Sequence, residues 1–184
     1  MIYIGIIFIS LFGTFLHFLY EISNHNKLVA VFAAVNESTW EHIKIGMTPT
    51  ILWSLYYLYN YGLNTNYLIS ISLSLLTIIL IIPMLFYTYT YFTKKSILWI
   101  DIICFNITII LSQLVFNHFI NIKTLPSIYT YLSIILLLIE LISYLTLTYY
   151  PIKNFIFKDP LSNKYGIEGH TEIHNKDHNQ KHNH

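Results

Sequence analysis

The stretch YLISISLSLLTIILIIPMLFYTYTYF, residues 67–92, contains no Asp, Glu, Lys or Arg. A helix of about 20 predominantly apolar residues is long enough to cross a hydrocarbon core of about 30 Å. Four further apolar segments flank it, at residues 2–20, 45–61, 97–120 and 127–150. The sequence therefore predicts an all-α fold, a polytopic transmembrane helical bundle with about five spanning helices.

The composition fits a membrane protein and excludes an ordinary soluble domain. Only 10% of the 184 residues are charged and 55% are hydrophobic, whereas about a quarter of the residues of an average soluble domain are charged. The lipid bilayer is therefore the predicted partner. The formal net charge is +1 and no basic stripe is visible, so we expect no nucleic-acid partner. The sequence does not identify a small-molecule or lipid substrate, and it leaves open whether the chain forms a homo-oligomer.

Lysine residues lie almost entirely at one end of the predicted bundle, and with five spans Lys123 stands alone at the other end. Loops rich in lysine and arginine stay in the cytoplasm. The pattern predicts a multi-pass protein of the cell membrane with its N-terminus outside and its C-terminus in the cytoplasm. The lysines at the lysine-rich end are Lys27, Lys44, Lys94, Lys95, Lys153, Lys158, Lys164, Lys176 and Lys181.

The segment between the first two spans carries its own signals. Residues 28–35 form an apolar run that is too short to cross a membrane, which predicts a short re-entrant or interfacial helix on the cytoplasmic side. Ser38 and Glu41 have the spacing of a capping box, which predicts that a helix begins there and continues into the second span.

Three regions follow one another along the chain: a transmembrane helical domain at 1–155, a turn-rich cytoplasmic segment at 156–168, and a disordered His-rich tail at 169–184. On a helix, the tail histidines would form one row of imidazoles able to bind Zn²⁺ or a similar ion. The composition favours the alternative, a solvated low-complexity tail that binds metal only adventitiously. These histidines are His170, His174, His178 and His182.

Three strings in the chain carry a resemblance: FLHFLYE (15–21), LVAVFAAVNESTWEHIK (28–44) and FKDPLSNKYGI (157–167). They resemble a family of small prokaryotic membrane proteins of unknown function, and the resemblance covers nearly the whole chain apart from the His-rich tail. It implies a multi-helix membrane fold and supplies no activity.

Residues 36–42 are also distantly similar to an early motif of the membrane hydrolase superfamily that includes alkaline ceramidases. That superfamily has seven spans and a late histidine pair that this chain lacks, so no residue's role is carried over.

Ionisable side chains gather at the cytoplasmic ends of the predicted spans. An ionisable group inside the bilayer costs about 2.5–3.5 kcal/mol and usually faces the bundle interior with a partner. Six such groups belong to the cytoplasmic half: His17, Glu21, Glu37, Glu41, His42 and Asp101. Their convergence predicts a metal-binding or acid/base site at that end of the bundle.

Imidazole nitrogens and carboxylate oxygens suit zinc and similar divalent ions, so a divalent metal is the cofactor that the pattern allows. The candidate metal ligands are His17, Glu21 and His42, and the candidate catalytic residues are Glu37, Glu41 and Asp101. An open coordination position would activate water, which makes a metal-dependent membrane hydrolase the leading hypothesis. A purely structural interpretation stands beside it, in which Glu41 caps a helix and pairs with Lys44.

Polar residues deeper in the predicted spans leave two other functions open. Glu140 lies roughly 16 Å from the cytoplasmic end of the fifth span, and Asn106 and Gln113 lie in the fourth. The first alternative is a small transporter or proton- or cation-conducting protein that uses Glu140 and Asp101. The second is a non-catalytic membrane scaffold whose polar residues only hold the helices together.

Overall fold

Residues 1–169 are described by a computed structural model, and in this part of the chain every regular element is helical. Five long helices follow one another, with one turn of 3₁₀ helix, Val29–Val31, between the first two. The helices are α1 (Ile2–Ile22), α2 (Thr39–Tyr61), α3 (Tyr67–Thr93), α4 (Leu98–Asn121) and α5 (Ser127–Thr146). The predicted all-α bundle is confirmed, and the His-rich tail lies outside the described residues.

Four helices, α1, α3, α4 and α5, are long and apolar enough to cross a membrane. α2 is not among them, although it forms over the whole of the second predicted span. Its first half carries Glu41, His42 and Lys44, and most of that half is buried within the bundle. The charged pair of α2, Glu41 and Lys44, is therefore satisfied by protein neighbours.

Small residues on α1 let it lie close to the helices beside it. A Cβ atom on Gly5 would lie 2.4 Å from Nε1 of Trp53, and one on Gly13 would lie 2.8 Å from Cζ of Phe105. Because these distances exclude any side chain without movement of the aromatic rings, both glycines fix the approach of α1 to α2 and α4. That approach carries the C-terminal end of α1 next to the start of α2.

The predicted helix at residues 28–35 is much shorter than expected. Only Val29–Val31 is helical, and Ala30 and Ala33 are fully buried. Both alanines belong to a small apolar cluster with Tyr20 of α1. The alanines pack against the protein, whereas Leu28 and Phe32 are exposed, so burial accounts for only part of the apolar character of the run.

The start of α2 is at the predicted place, but its capping contacts differ from a capping box. Ser38 is the N-cap residue and makes no side-chain capping bond. Its backbone N–H donates to Oδ1 of Asn36 at 2.8 Å, and Oε2 of Glu41 accepts the N–H of Val35 at 3.0 Å. The acidic residue therefore ties the preceding loop to the helix.

The segment after α5 folds back onto the start of α2. The backbone N–H of Trp40 donates to the carbonyl of Ile156 at 3.0 Å, and the indole ring lies 5.0 Å from the ring of Phe157. The side-chain amide of Asn36 donates to the carbonyl of Gly166 at 2.8 Å. These bonds hold the loop before α2 in one conformation.

Candidate metal centre

Three of the predicted site residues meet at one end of the bundle. His17 lies near the C-terminal end of α1, Glu37 in the loop before α2, and His42 in the first turns of α2. The distance from Nε2 of His17 to Oε1 of Glu37 is 3.4 Å, and that from Nε2 of His42 to Oε2 of Glu37 is 3.8 Å. One ligand atom from each residue lies within 4.8 Å of the other two, which is a spacing that a single metal ion can bridge.

The imidazole of His42 is oriented by its own helix. Nδ1 lies 3.0 Å from the carbonyl oxygen of Ser38, and because a carbonyl only accepts, Nδ1 carries the proton and donates it. The opposite nitrogen, Nε2, faces Glu37. Metal-binding histidines use the same arrangement, in which a backbone carbonyl fixes the tautomer and leaves the other nitrogen for the ion.

Glu37 is held in place through its backbone. Its N–H donates to Oδ1 of Asp159 at 3.1 Å, and the other oxygen of Asp159 accepts the N–H of Ser162 at 2.6 Å. Asp159 is fully buried, so both of its carboxylate oxygens are committed to this loop contact. A hydrogen-bonding interaction with His17 lowers the pKa of the Glu37 carboxyl, against the opposing effect of burial.

A small cavity of about 30 Å³ adjoins the cluster, which is enough room for a water molecule. Polar groups line one side of it and apolar side chains line the other. The residues around it are Glu37, Thr39, His42, Ile82, Phe86, Asp101, Cys104 and Phe105.

Asp101 faces this cavity from the first turn of α4. The phenol of Tyr89 donates to one of its carboxylate oxygens, and the hydroxyl of Ser96 donates to the other at 2.9 Å. Each oxygen keeps a further lone pair, so the carboxylate can still accept a proton or a hydrogen bond from a molecule in the cavity.

Glu41 lies apart from the cluster, in a buried network of its own. Its Oε2 is 2.5 Å from Nζ of Lys44, and both side chains are at most 1% exposed. The ammonium group also donates to the carbonyl of Ala30 at 2.7 Å and to the hydroxyl of Thr148 at 2.8 Å. All three donors of Lys44 are used, so the pair ties α2 to the loop after α1 and to the end of α5.

Of the remaining predicted residues, Glu21 acts on the cluster only through an electrostatic interaction with His17, and the others make no described contact with it. Glu21 is exposed at the end of α1. Asn106 donates to the carbonyl of Ile102 in its own helix, and Gln113 is buried near the other end of α4. Glu140 is 3% exposed, and neither of its carboxylate oxygens has a hydrogen-bond partner among residues 1–169.

Several contributors to the site were not identified from the sequence. Asp159 positions Glu37, and Tyr89 and Ser96 position Asp101. Asp159 lies in the string FKDPLSNKYGI, where an acidic residue beside a proline in a turn was the available signal. Nothing in the sequence pattern connects that string to residue 37.

A family model described as "Family of unknown function (DUF6512)" matches residues 1–167 of the chain. No curated protein and no solved structure matches it. The matched range includes every residue of the candidate metal centre and ends before the His-rich tail.

Proposed function

The chain belongs to the DUF6512 family, and we propose that it is a metal-dependent hydrolase of the membrane with a divalent ion of the zinc type. His17, Glu37 and His42 are the proposed ligands. The observation that carries this proposal is the set of three ligand atoms within 4.8 Å of one another.

The donor set indicates a catalytic metal and not a purely structural one. Catalytic zinc sites have three protein ligands, often two histidines and one glutamate, and leave a fourth position to water or substrate. Structural zinc sites instead have four protein ligands. Here two imidazoles and one carboxylate converge beside a cavity with room for water, which supports an open fourth position.

Asp101 is the proposed general base. A bound divalent ion would lower the pKa of a water molecule and so supply a nucleophile at neutral pH. In hydrolysis of an ester, the water oxygen forms a bond to the acyl carbon and the bond to the leaving oxygen breaks. Asp101 would accept the proton from water and return it to the leaving oxygen.

The proposed orientation places this centre on the cytoplasmic side. The ends of α1, α3 and α5 and the starts of α2 and α4 lie at the same end of the bundle as the cluster. Most lysines of the sequence belong to that end, which supports a cytoplasmic location under the positive-inside rule.

Metal analysis of the purified protein tests the ligand set. The protein is the full chain with every histidine after residue 169 replaced by asparagine, so that the tail cannot bind metal. We expect about one zinc per chain, and a loss of at least tenfold in affinity for His17→Ala and for His42→Ala. His118→Ala is the matched control, since His118 lies in the last turn of α4, at the opposite end of the bundle, and should keep the metal. Absence of stoichiometric zinc, or its retention in a variant that combines His17→Ala with His42→Ala, would remove the proposal.

Hydrolysis of a chromogenic ester, p-nitrophenyl butyrate, tests the role of Asp101. We expect Asp101→Asn to bind zinc as the parent does and to lose about 10²- to 10⁴-fold in rate, the usual contribution of a general base. Asn106→Asp is the control for an added carboxylate on the same helix outside the cavity. Equal rates for Asp101→Asn and its parent would exclude Asp101 as the base.

A second function, conduction of protons or cations, is favoured by one observation. Glu140 is buried within α5 with both carboxylate oxygens unpartnered among the described residues, and such intramembrane groups commonly belong to ion pathways. Proteoliposomes with an enclosed pH-sensitive dye test it. A proton flux that Glu140→Gln abolishes supports conduction, and an equal flux in both rules it out.

A further inference from the structure

A second cavity, of about 310 Å³, lies at the end of the bundle opposite the candidate metal centre. Its walls come from the N-terminus of α1, the second half of α2 and the last turns of α4. Ligand pockets span roughly 300–1,000 Å³, so this cavity has the size for one small ring-shaped ligand. It shares no lining residue with the cavity beside Asp101.

The wall contributed by α2 is aromatic. Trp53, Tyr57 and Tyr61 recur every four residues and therefore lie along one face of the helix. The rings of Tyr57 and Tyr61 are stacked with centroids 4.8 Å apart, and Tyr57 meets the edge of Phe116 at 5.4 Å. This wall offers flat apolar surfaces and phenol hydroxyls.

The wall contributed by α4 carries three side-chain amides, together with Phe116 and Ile120. Gln113, Asn117 and Asn121 have the same spacing of four residues and line the same cavity. The side-chain amide of Asn121 donates to the backbone carbonyl of Asn117 at 2.7 Å and to its Oδ1 at 3.3 Å, which brings the two outer amides together. Both are exposed, whereas Gln113 lies deeper in the bundle.

Gln113 is the observation that indicates a ligand. The residue is 2% exposed and lines the cavity, so its amide is accessible to a molecule bound there. Buried polar groups are almost always hydrogen-bonded. The amide has two donor hydrogens and one acceptor oxygen available to a molecule in the cavity.

The charge of the lining restricts what that molecule can be. Among the described lining residues no side chain is acidic or basic, and the α-ammonium group of Met1 is the charged group that they contribute, a donor to hydroxyl oxygens. An aromatic wall matches the C–H face of a sugar ring, and an amide wall matches its hydroxyl groups, which both donate and accept. We propose that this cavity binds a neutral hexose ring, either as a free sugar or as the headgroup of a glycolipid.

Binding of methyl β-D-glucopyranoside to the full chain in phosphatidylcholine nanodiscs tests the proposal, measured by saturation-transfer NMR and titration. We expect saturable binding that weakens at least tenfold in Gln113→Leu. Asn106→Leu is the matched control, because Asn106 is an amide of the same helix that bonds its own backbone outside the cavity. It should bind the glucoside as the parent does.

Two comparison ligands and one lipid complete the experiment. Glucosamine, whose ammonium group is repelled by that of Met1, and adenine, which is flat and aromatic, should bind more weakly than the glucoside. Co-purification of a glucosyl diacylglycerol that the methyl glucoside displaces identifies a glycolipid source, and glucoside binding without lipid retention identifies a free sugar. The proposal fails if the glucoside does not bind, if Gln113→Leu binds it equally well, or if either comparison ligand binds more tightly.

Discussion

Replacement of Lys44 by methionine removes the cation that pairs with Glu41 while keeping most of the apolar stem. The side chain of Lys44 is fully buried, and its ammonium contacts Glu41, Ala30 and Thr148 at 2.5–2.8 Å. Breaking a buried ion pair from one side typically costs about 3–5 kcal/mol, because the remaining charge is left uncompensated. For a chain of this length that corresponds to a fall in Tm of roughly 6–20 °C.

Thermal unfolding in detergent measures this loss. Cys104 is the single cysteine and is only partly exposed, so its reaction with a thiol-reactive dye reports unfolding. Lys123→Met, at an exposed position, should change the free energy of unfolding by less than about 0.5 kcal/mol. Adding Glu41→Gln to Lys44→Met should recover part of the loss, since it removes the unpaired charge.

A fall in Tm of less than about 2 °C for Lys44→Met would refute the reasoning, because it would mean that the buried pair contributes no net stability. A double variant less stable than Lys44→Met alone would refute the part that concerns the uncompensated carboxylate. Zinc content of Lys44→Met, measured while the protein is folded, should match the parent because the pair is separate from the candidate metal centre.

Three further predictions concern other parts of the molecule. Asp159→Ala should weaken zinc binding about 10- to 100-fold by releasing the backbone of Glu37, whereas Asp159→Asn, which keeps an acceptor oxygen, should lose much less in a metal-competition titration. Gly13→Val should lower the free energy of unfolding by about 1–3 kcal/mol, since its Cβ meets the ring of Phe105, and an unchanged melting curve would contradict this. Glu140→Leu should raise the free energy of unfolding by about 1–3 kcal/mol, because it removes a buried carboxyl group that has no hydrogen-bond partner among residues 1–169, and a destabilised variant would show that the carboxyl group has a stabilising contact.

The long apolar helices could be predicted from the sequence because their lengths are set by the bilayer and their ends by the first polar residues. The segment at 67–92 became α3, Tyr67–Thr93, and that at 97–120 became α4, Leu98–Asn121. α2 begins at the predicted place, but it is not among the helices apolar enough to cross a membrane. Its first turns are polar, and burial among neighbouring elements explains why they lie inside the protein.

The sequence predicted the residue types of the candidate metal centre, but it did not show which of the six candidate residues would meet. The order of the predicted spans placed His17 at the same end of the bundle as His42 and Glu37, and those three converge. Glu41 and His42 are adjacent, so about 100° of helix rotation separates them and sends Glu41 to Lys44 instead. The loop that carries Glu37 is fixed by tertiary hydrogen bonds, which leave no local signature in the sequence.

The hydrogen bond between Glu37 and Asp159 joins residues that are 122 positions apart in the chain. Ribosomes add about 5–20 residues per second, so the loop emerges roughly 6–24 s before the carboxylate that anchors it. A nascent chain that ends after its first four long helices therefore has both histidines but no fixed glutamate between them. Capture of the proposed ion would then be a late event of biosynthesis, and an interrupted chain that lacks Asp159 would reach the membrane without an anchored Glu37 to hold it.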